Sequence, residues 1–323
     1  MSKRICIDLG SKNTVIAEQN SGVILSEPTL AAIDLKTNQL IAVGDEVEKL
    51  LGRTPKDISV VSPVSGGVIA NFDVASVMLK TFVEKIFPKG IIRPRATVCI
   101  PYGITDVEEK VLVECVSRAN LKCDFTFETS IAALIGSDKD VEEPAGNMVL
   151  DIGGGKVCAS CVSFGGIVAA FSRPGGGDKM DLCISDFIKK NYGVKIGKKT
   201  AEEIKIKIGN CFGGNESFSV VGRDEVSGLP KEVAVTSDDV LCAISAELNE
   251  IINIVKMTLE NTPAELIYDI TNNGICLTGG GSLLSGLEDF IEEKIGITAQ
   301  LSKNPTECAA LGACDFLPKV RTR

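Results

Sequence analysis

One pattern constrains this 323-residue chain more than any other, because it occurs twice. A short apolar strand runs into an Asp-aliphatic-Gly turn and straight out into a second strand. The first copy is Arg4–Ile7, then Asp8-Leu9-Gly10-Ser11-Lys12-Asn13-Thr14, then Val15–Glu18. The second is Asn147–Leu150, then Asp151-Ile152-Gly153-Gly154-Gly155-Lys156, then Val157–Phe164. The two aspartates stand 143 residues apart. A chain of this length exceeds one ordinary hydrophobic core, so the repeat predicts two lobes, each contributing one acidic hairpin.

The remaining pattern is α/β. Apolar residues near i, i+3 and i+4 predict a helix over Val74–Ile86, and Ala96–Ile100 reads as a buried strand ending at Pro101. Thr105 and Glu108 form a capping-box signature for a helix over Asp106–Ala119, and Ser130–Gly136 reads as another. Further helices are expected over Lys179–Asn191 and Thr200–Gly209, and a β-rich stretch over Ser217–Val235. Ser237 is the expected cap of a long amphipathic helix, Asp238–Glu260, bounded by Pro263. The strand Gly274–Leu277 enters a third glycine run, Thr278-Gly279-Gly280-Gly281-Ser282, before a helix expected over Leu283–Ile295.

Composition narrows the chemistry. There is no His, so every imidazole base, His-based triad and imidazole metal site is excluded. A net charge of -9 argues against a general nucleic-acid surface. The 12 cysteines are scattered, as reduced thiols in a cytoplasmic protein would be. The one CxxC, Cys158–Cys161, lies in a strand whose alternation sends its sulfurs to opposite faces, so core packing outweighs metal binding. No apolar run approaches the ~20 residues that cross a bilayer.

Two such hairpins facing each other suit a polyphosphate. Glycine lets the backbone approach closely, turn N–H groups donate to phosphate oxygens, and acidic side chains hold a hydrated Mg²⁺. No Gly-x-x-x-x-Gly-Lys-Ser/Thr run is present, so this is not a Walker P-loop. Asp8–Thr14, Asp151–Lys156 and Leu277–Ser282 resemble the two phosphate motifs and the adenosine motif of the actin, heat-shock chaperone and sugar kinase superfamily. The nearer resemblance is to the MreB family of bacterial actins, over essentially the whole chain. Supporting segments include Leu51-Gly52-Arg53-Thr54-Pro55, Gly67–Asp73, Glu142–Met148, Thr200–Lys205, Ser227–Lys231 and Leu311-Gly312-Ala313.

The resemblance implies an actin-like two-lobe fold, each lobe a mixed sheet flanked by helices with a small subdomain. Lobe I would span residues 1–145, with its subdomain near 33–73, and be rejoined by the tail 312–323. Lobe II would span 146–311, with its subdomain near 182–236. ATP or ADP with Mg²⁺ would lie between them. Gly10, Ser11, Lys12, Asn13 and Thr14 would face the phosphates, with Gly153, Gly154, Gly155 and Lys156 opposite. Asp8 and Asp151 would hold Mg²⁺ through water. Glu202 and Lys205, one helical turn apart, match ribose and base contacts. Gly279, Gly280, Gly281 and Ser282 would line the nucleoside pocket, with Gly176, Gly177 and Asp178 nearby.

Two departures from the family pattern bear on catalysis, whose expected residues here are Thr129, Lys156 and Asp151, and a third, at Lys12, on nucleotide affinity. The family's water-activating Glu is replaced by Thr129, and the Thr after the triple glycine by Lys156. A hydroxyl cannot accept a proton as a carboxylate does, and losing a positioned general base costs ~10²–10⁴ in rate. The expectation is a weak ATPase, with Glu128 one residue away but leaving the helix start in another direction. Lys12 occupies a position usually held by a small residue.

The partners implied are copies of the chain itself in a filament, in single or paired protofilaments, and paralogous filament proteins. No nucleic acid is expected. Ile91 and Ile92, with Lys89, Arg93 and Arg95 beside them, lie where the family's membrane loop falls, and the tail Lys319–Arg323 adds charge. An ordinary solvated loop is the competing reading. The expected location is the cytoplasm, with membrane association as a filament. The competing function is a small-molecule kinase or phosphotransferase on the same fold, against which stands the lack of an inserted substrate domain. A chaperone ATPase would need a peptide-binding domain not seen here.

Overall fold

The computed structural model describes residues 3–87 and 93–316. Two five-stranded sheets form its centre, and they share one topology. The first runs Lys122–Glu128, Arg95–Ile100, Arg4–Leu9, Asn13–Glu18, Gly22–Pro28. The second runs Ala299–Leu301, Ile275–Thr278, Asn147–Ile152, Lys156–Ser163, Gly166–Pro174. Each is an antiparallel three-strand meander, extended by two parallel strands on the far side of its first strand. The repetition seen in two short turns therefore extends to whole sheets.

The central strands are buried along nearly their whole length, as strands covered on both faces must be. Helices Phe72–Ile86 and Asp106–Arg118 pack with the first sheet, and Gly177–Tyr192 and Ser237–Glu260 with the second. Two smaller three-stranded sheets are built from Ala31–Asp34, Gln39–Val43 and Ile58–Val61, and from Val194–Lys195, Ser217–Asp224 and Pro230–Thr236. All twelve cysteines are free.

A pair of short helices joins the halves. Thr129–Ile135 contacts strands of the second sheet, and Cys308–Phe316 contacts strands of the first. Their approach is reciprocal. A Cβ on Gly136 would run into the backbone carbonyl of Cys308, and one on Gly312 into that of Ala132. Each glycine thus meets the carbonyl four residues before its counterpart, and no side chain fits at either crossing point.

Local detail departs from pattern in three places. Thr105 and Glu108 form the expected capping box, but the long helix is capped by Thr236 rather than Ser237, because Asp239 closes the box with Thr236. The helix expected from Leu283 begins at Leu287; Gly280–Leu283 forms a 3₁₀ turn and Gly286 is left-handed at φ 74°. Pattern alone also leaves out the strand Gly166–Pro174 and the helices Ala264–Asn273 and Cys308–Phe316. Ile91, Ile92 and the tail Lys319–Arg323 lie outside the described residues. No helix among the described residues is long and apolar enough to cross a membrane.

Candidate functional site in the cleft between the sheets

Asp8 and Asp151 occupy equivalent places, each one residue before the end of its sheet's first strand. The turns that follow are closed by the same bond: Gly10 N donates to Asn13 O at 3.1 Å, and Gly153 N to Lys156 O at 2.9 Å. This leaves the backbone N–H groups of Ser11, Lys12, Gly154 and Gly155 without an acceptor among the described residues. Four unspent donors in two facing turns form an anion cradle.

The turns touch. A Cβ on Gly154 would come 2.8 Å from Lys12 Cβ, and one on Gly155 would come 2.8 Å from Ser11 Oγ. Ser11 Oγ also accepts from Gly67 N at 3.1 Å. A cleft of about 570 Å³ opens between the halves here, lined by both aspartates, both turns and the third glycine run.

Burial makes the two carboxylates reluctant to ionise. Asp8 is pushed up to about 7, first by burial and then by the charge of Asp151. Asp151 is pushed up to about 6 by burial, offset by the hydroxyl of Thr278, which donates to its Oδ1 at 3.3 Å, and by Lys156. Like charges sharing a buried site call for a cation.

Thr129 lines the cleft and donates its hydroxyl hydrogen to Ile100 O at 3.0 Å, so its oxygen remains only an acceptor. Lys156 also lines the cleft, but its Nζ donates to Tyr102 O across it at 2.6 Å. Desolvation lowers the Lys156 pKa against nearby acidic groups that raise it. Glu128 is not among the cleft-lining residues, and one of its buried carboxylate oxygens has no partner among the described residues. Burial raises its pKa, and Lys156 lowers it.

Lys12 Nζ meets Glu202 Oε2 at 2.6 Å, joining the first turn to helix Lys198–Ile208 of the other half. Lys205 Nζ is held by Asp181 Oδ1 at 2.6 Å and donates to Gly177 O at 3.0 Å. Gly177 and Asp178 line the cleft. Exposed Ile206 and Leu283 provide apolar lining beside Lys205 and Gly281.

Three expected site residues face elsewhere. Thr14 is fully buried, its hydroxyl 2.9 Å from that of Thr29, because the strand pleat turns it inward. Gly176 (φ 85°) supports the second turn from behind, and its N–H donates to Glu247 Oε1 at 2.7 Å. Ser282 is buried and donates to Gly279 O at 2.6 Å. Conversely, the Tyr102 carbonyl, Asp181 and Thr278 belong to the site without having been singled out. Only Thr278, inside the third glycine run, carried a local signal.

Two sheets of one topology, each presenting an acidic turn to a shared cleft, define a protein of the actin-like class. The MreB/Mbl protein family model matches residues 2–323, and the chain belongs to that family. It is 39% identical over 327 residues to the cell shape-determining protein Mbl of Bacillus subtilis strain 168, covering 98% of each chain. To the cell shape-determining protein MreB of Escherichia coli K12 it is 37% identical over 327 residues, covering 99% of this chain and 94% of that one. Among solved structures, MreB 5 of Spiroplasma citri bound to AMPPNP superposes with a TM-score of 0.94 at 31% identity, covering 99% of this chain and 97% of that one. A MamK double helical filament subunit shares the fold, with a TM-score of 0.83 at 19% identity over 98% of this chain and 100% of that one.

Proposed function

We propose that the chain is an ATP-binding, actin-like cytoskeletal protein that polymerises into filaments serving cell shape or motility, and that it hydrolyses ATP slowly. The carrying observation is the pair of facing turns, whose four unpartnered N–H groups lie beside two half-buried carboxylates that line the cleft. The related MreB 5 structures bound to AMPPNP and ADP support a nucleotide in this cleft, and the relatives named cell shape-determining support the cellular role. A kinase acting on a small acceptor finds no support among these relatives.

The donor set fits Mg²⁺. Among the described residues no group of three or more acidic or thiol side chains gathers as a metal cage. Two hard carboxylates facing a phosphate site are what an ion that keeps most of its waters requires. When bound, Mg²⁺ neutralises phosphate charge. Asp8 and Asp151 would hold it through water, while the backbone N–H groups of Ser11, Lys12, Gly154 and Gly155 would donate to phosphate oxygens. Glu202 and Lys205 would contact the ribose and base, and Gly279–Gly281 would line the nucleoside side, where the bare backbone of Gly279 and Gly281 packs against Ile152.

Slow turnover follows from what the chain does not place at the γ-phosphate. Thr129 can accept a hydrogen bond from water but cannot take its proton, and Lys156 brings positive charge where a base is needed. Restoring both positions, Thr129→Glu with Lys156→Thr, should raise single-turnover hydrolysis by ~10² or more. An unchanged rate would remove this explanation. ATP-dependent pelleting, with a phosphoryl-acceptor screen beside it, separates filament protein from kinase. The subunits would assemble in the cytoplasm as single or paired protofilaments, alone or with paralogues. Membrane attachment through Ile91 and Ile92 would appear as cosedimentation with anionic vesicles.

A further inference from the structure

Two lysines on the phosphate turns, Lys12 and Lys156, reach across the cleft. Lys12 leaves the first half to meet Glu202 of the second at 2.6 Å. Lys156 leaves the second half to meet the Tyr102 carbonyl of the first at 2.6 Å, and Ser172 Oγ approaches the same carbonyl at 3.4 Å. We propose that Lys12 and Glu202 form a clasp across the cleft that sets how long a bound nucleotide stays. This rests on the nucleotide-binding reading above and adds its kinetic control.

The clasp has a firm anchor on each side. Glu202 lies on helix Lys198–Ile208, which is tied to helix Gly177–Tyr192 by Lys205 through Asp181 and the Gly177 carbonyl. Lys12 projects from a turn pinned by the Gly10–Asn13 bond and by Thr29, whose N–H donates to Lys12 O at 2.8 Å. The backbone of each partner is therefore fixed to its own half. The reciprocal glycine crossing of Thr129–Ile135 and Cys308–Phe316 joins the halves elsewhere, so separation about it would stretch the Lys12–Glu202 pair. Their side chains are 38% and 21% exposed, shielded enough for the attraction to hold and open enough for salt to weaken it.

A clasp and a phosphate ligand make different predictions. A lysine acting on phosphate would slow release whether or not Glu202 is present, and at the γ-phosphate it would spare ADP, whereas a clasp retards both nucleotides and acts only through Glu202. Release of fluorescent ATP and ADP analogues from the full chain would be timed by stopped flow for wild type, Lys12→Met, Glu202→Gln and the double variant. Melting curves would check folding, and Lys12→Arg, which keeps the charge, serves as a rescue. Lys12→Met should speed release of both nucleotides roughly two- to fivefold in the wild-type background and add nothing to Glu202→Gln. Wild-type release should quicken with salt more steeply than that of Lys12→Met, which retains only the salt dependence of the phosphate and metal contacts. Lys12→Arg should stay near wild type. An unchanged rate, an effect confined to ATP, or one that persists in the Glu202→Gln background would overturn the clasp. Failure of wild type to take up either nucleotide would defeat the binding reading itself, and the clasp with it.

Discussion

The two acidic turns are closed by the same hydrogen bond and follow equivalent strands, yet their side chains differ in a complementary way. That closing bond aligns Ser11 with Gly154, Lys12 with Gly155, and Asn13 with Lys156. Where the first turn carries side chains, the second carries bare backbone, and the space beside Gly154 and Gly155 is filled by Lys12 and Ser11. The aspartates differ as well: Asp151 has the Thr278 hydroxyl and Lys156 nearby, while Asp8 is raised by burial and by Asp151 itself. The halves therefore agree where the backbone must be shaped and diverge where they meet. The shared part makes the cradle, and the divergent part adjusts what it does.

The largest expected effect tests the symmetric element. Gly312→Val would drive its side chain into the Ala132 carbonyl, a backbone atom with nowhere to go, and should cost ~3 kcal/mol or more. Melting should show this as a large fall in Tm or loss of soluble protein. Gly197→Ala, at a helix N-cap with open space and ordinary backbone, should lose only the difference between Gly and Ala as a cap, about 1 kcal/mol or less. Equal behaviour of the two variants would show that the crossing is not as tight as described.

A smaller effect probes the difference between the aspartates. Both are raised above the ordinary carboxylate value of 3.8, so between about pH 4 and 7 the nucleotide-free native state holds more protons than the unfolded chain. The associated stability is fully present below that window and is lost as pH rises through about 6 and then 7. Without metal, Tm should fall across this range, and Mg²⁺ should restore it at the alkaline end only. Asp8→Asn should remove the higher of the two transitions, whereas Asp151→Asn should remove the lower one and also move the Asp8 transition down, because the charge of Asp151 helps raise Asp8. A flat wild-type profile would contradict the electrostatic asymmetry.

Much of this was legible in sequence, for physical reasons. Asp8 and Asp151 announce themselves because a turn that binds phosphate needs glycine beside an acid, and that requirement is local. Strands 4–9 and 147–152 are visible because both faces are largely buried and each has an apolar core, Ile5–Ile7 and Met148–Leu150, before its aspartate. What stayed hidden depends on contacts distant in the chain. Thr14 looks like a phosphate ligand until the pleat pairs it with Thr29. Asp181 carries no motif, and its importance arises only because Lys205 is packed over it. Tyr102 contributes a carbonyl that no side-chain pattern can mark. Helix Cys308–Phe316 is too short, and apolar on too many sides, to show amphipathic spacing, and its role comes from Gly312 meeting a helix 180 residues earlier (Ala132 to Gly312).

Calorimetric titration of the full chain with ATP, with and without Mg²⁺, tests the central claim most directly when Asp151→Asn is run beside it. The account predicts saturable one-to-one binding, tighter with Mg²⁺, with the Mg²⁺-dependent gain weakened roughly 10- to 100-fold in Asp151→Asn. No heat of binding in wild type, or an affinity indifferent to both Mg²⁺ and Asp151, would mean that the facing turns do not hold a nucleotide.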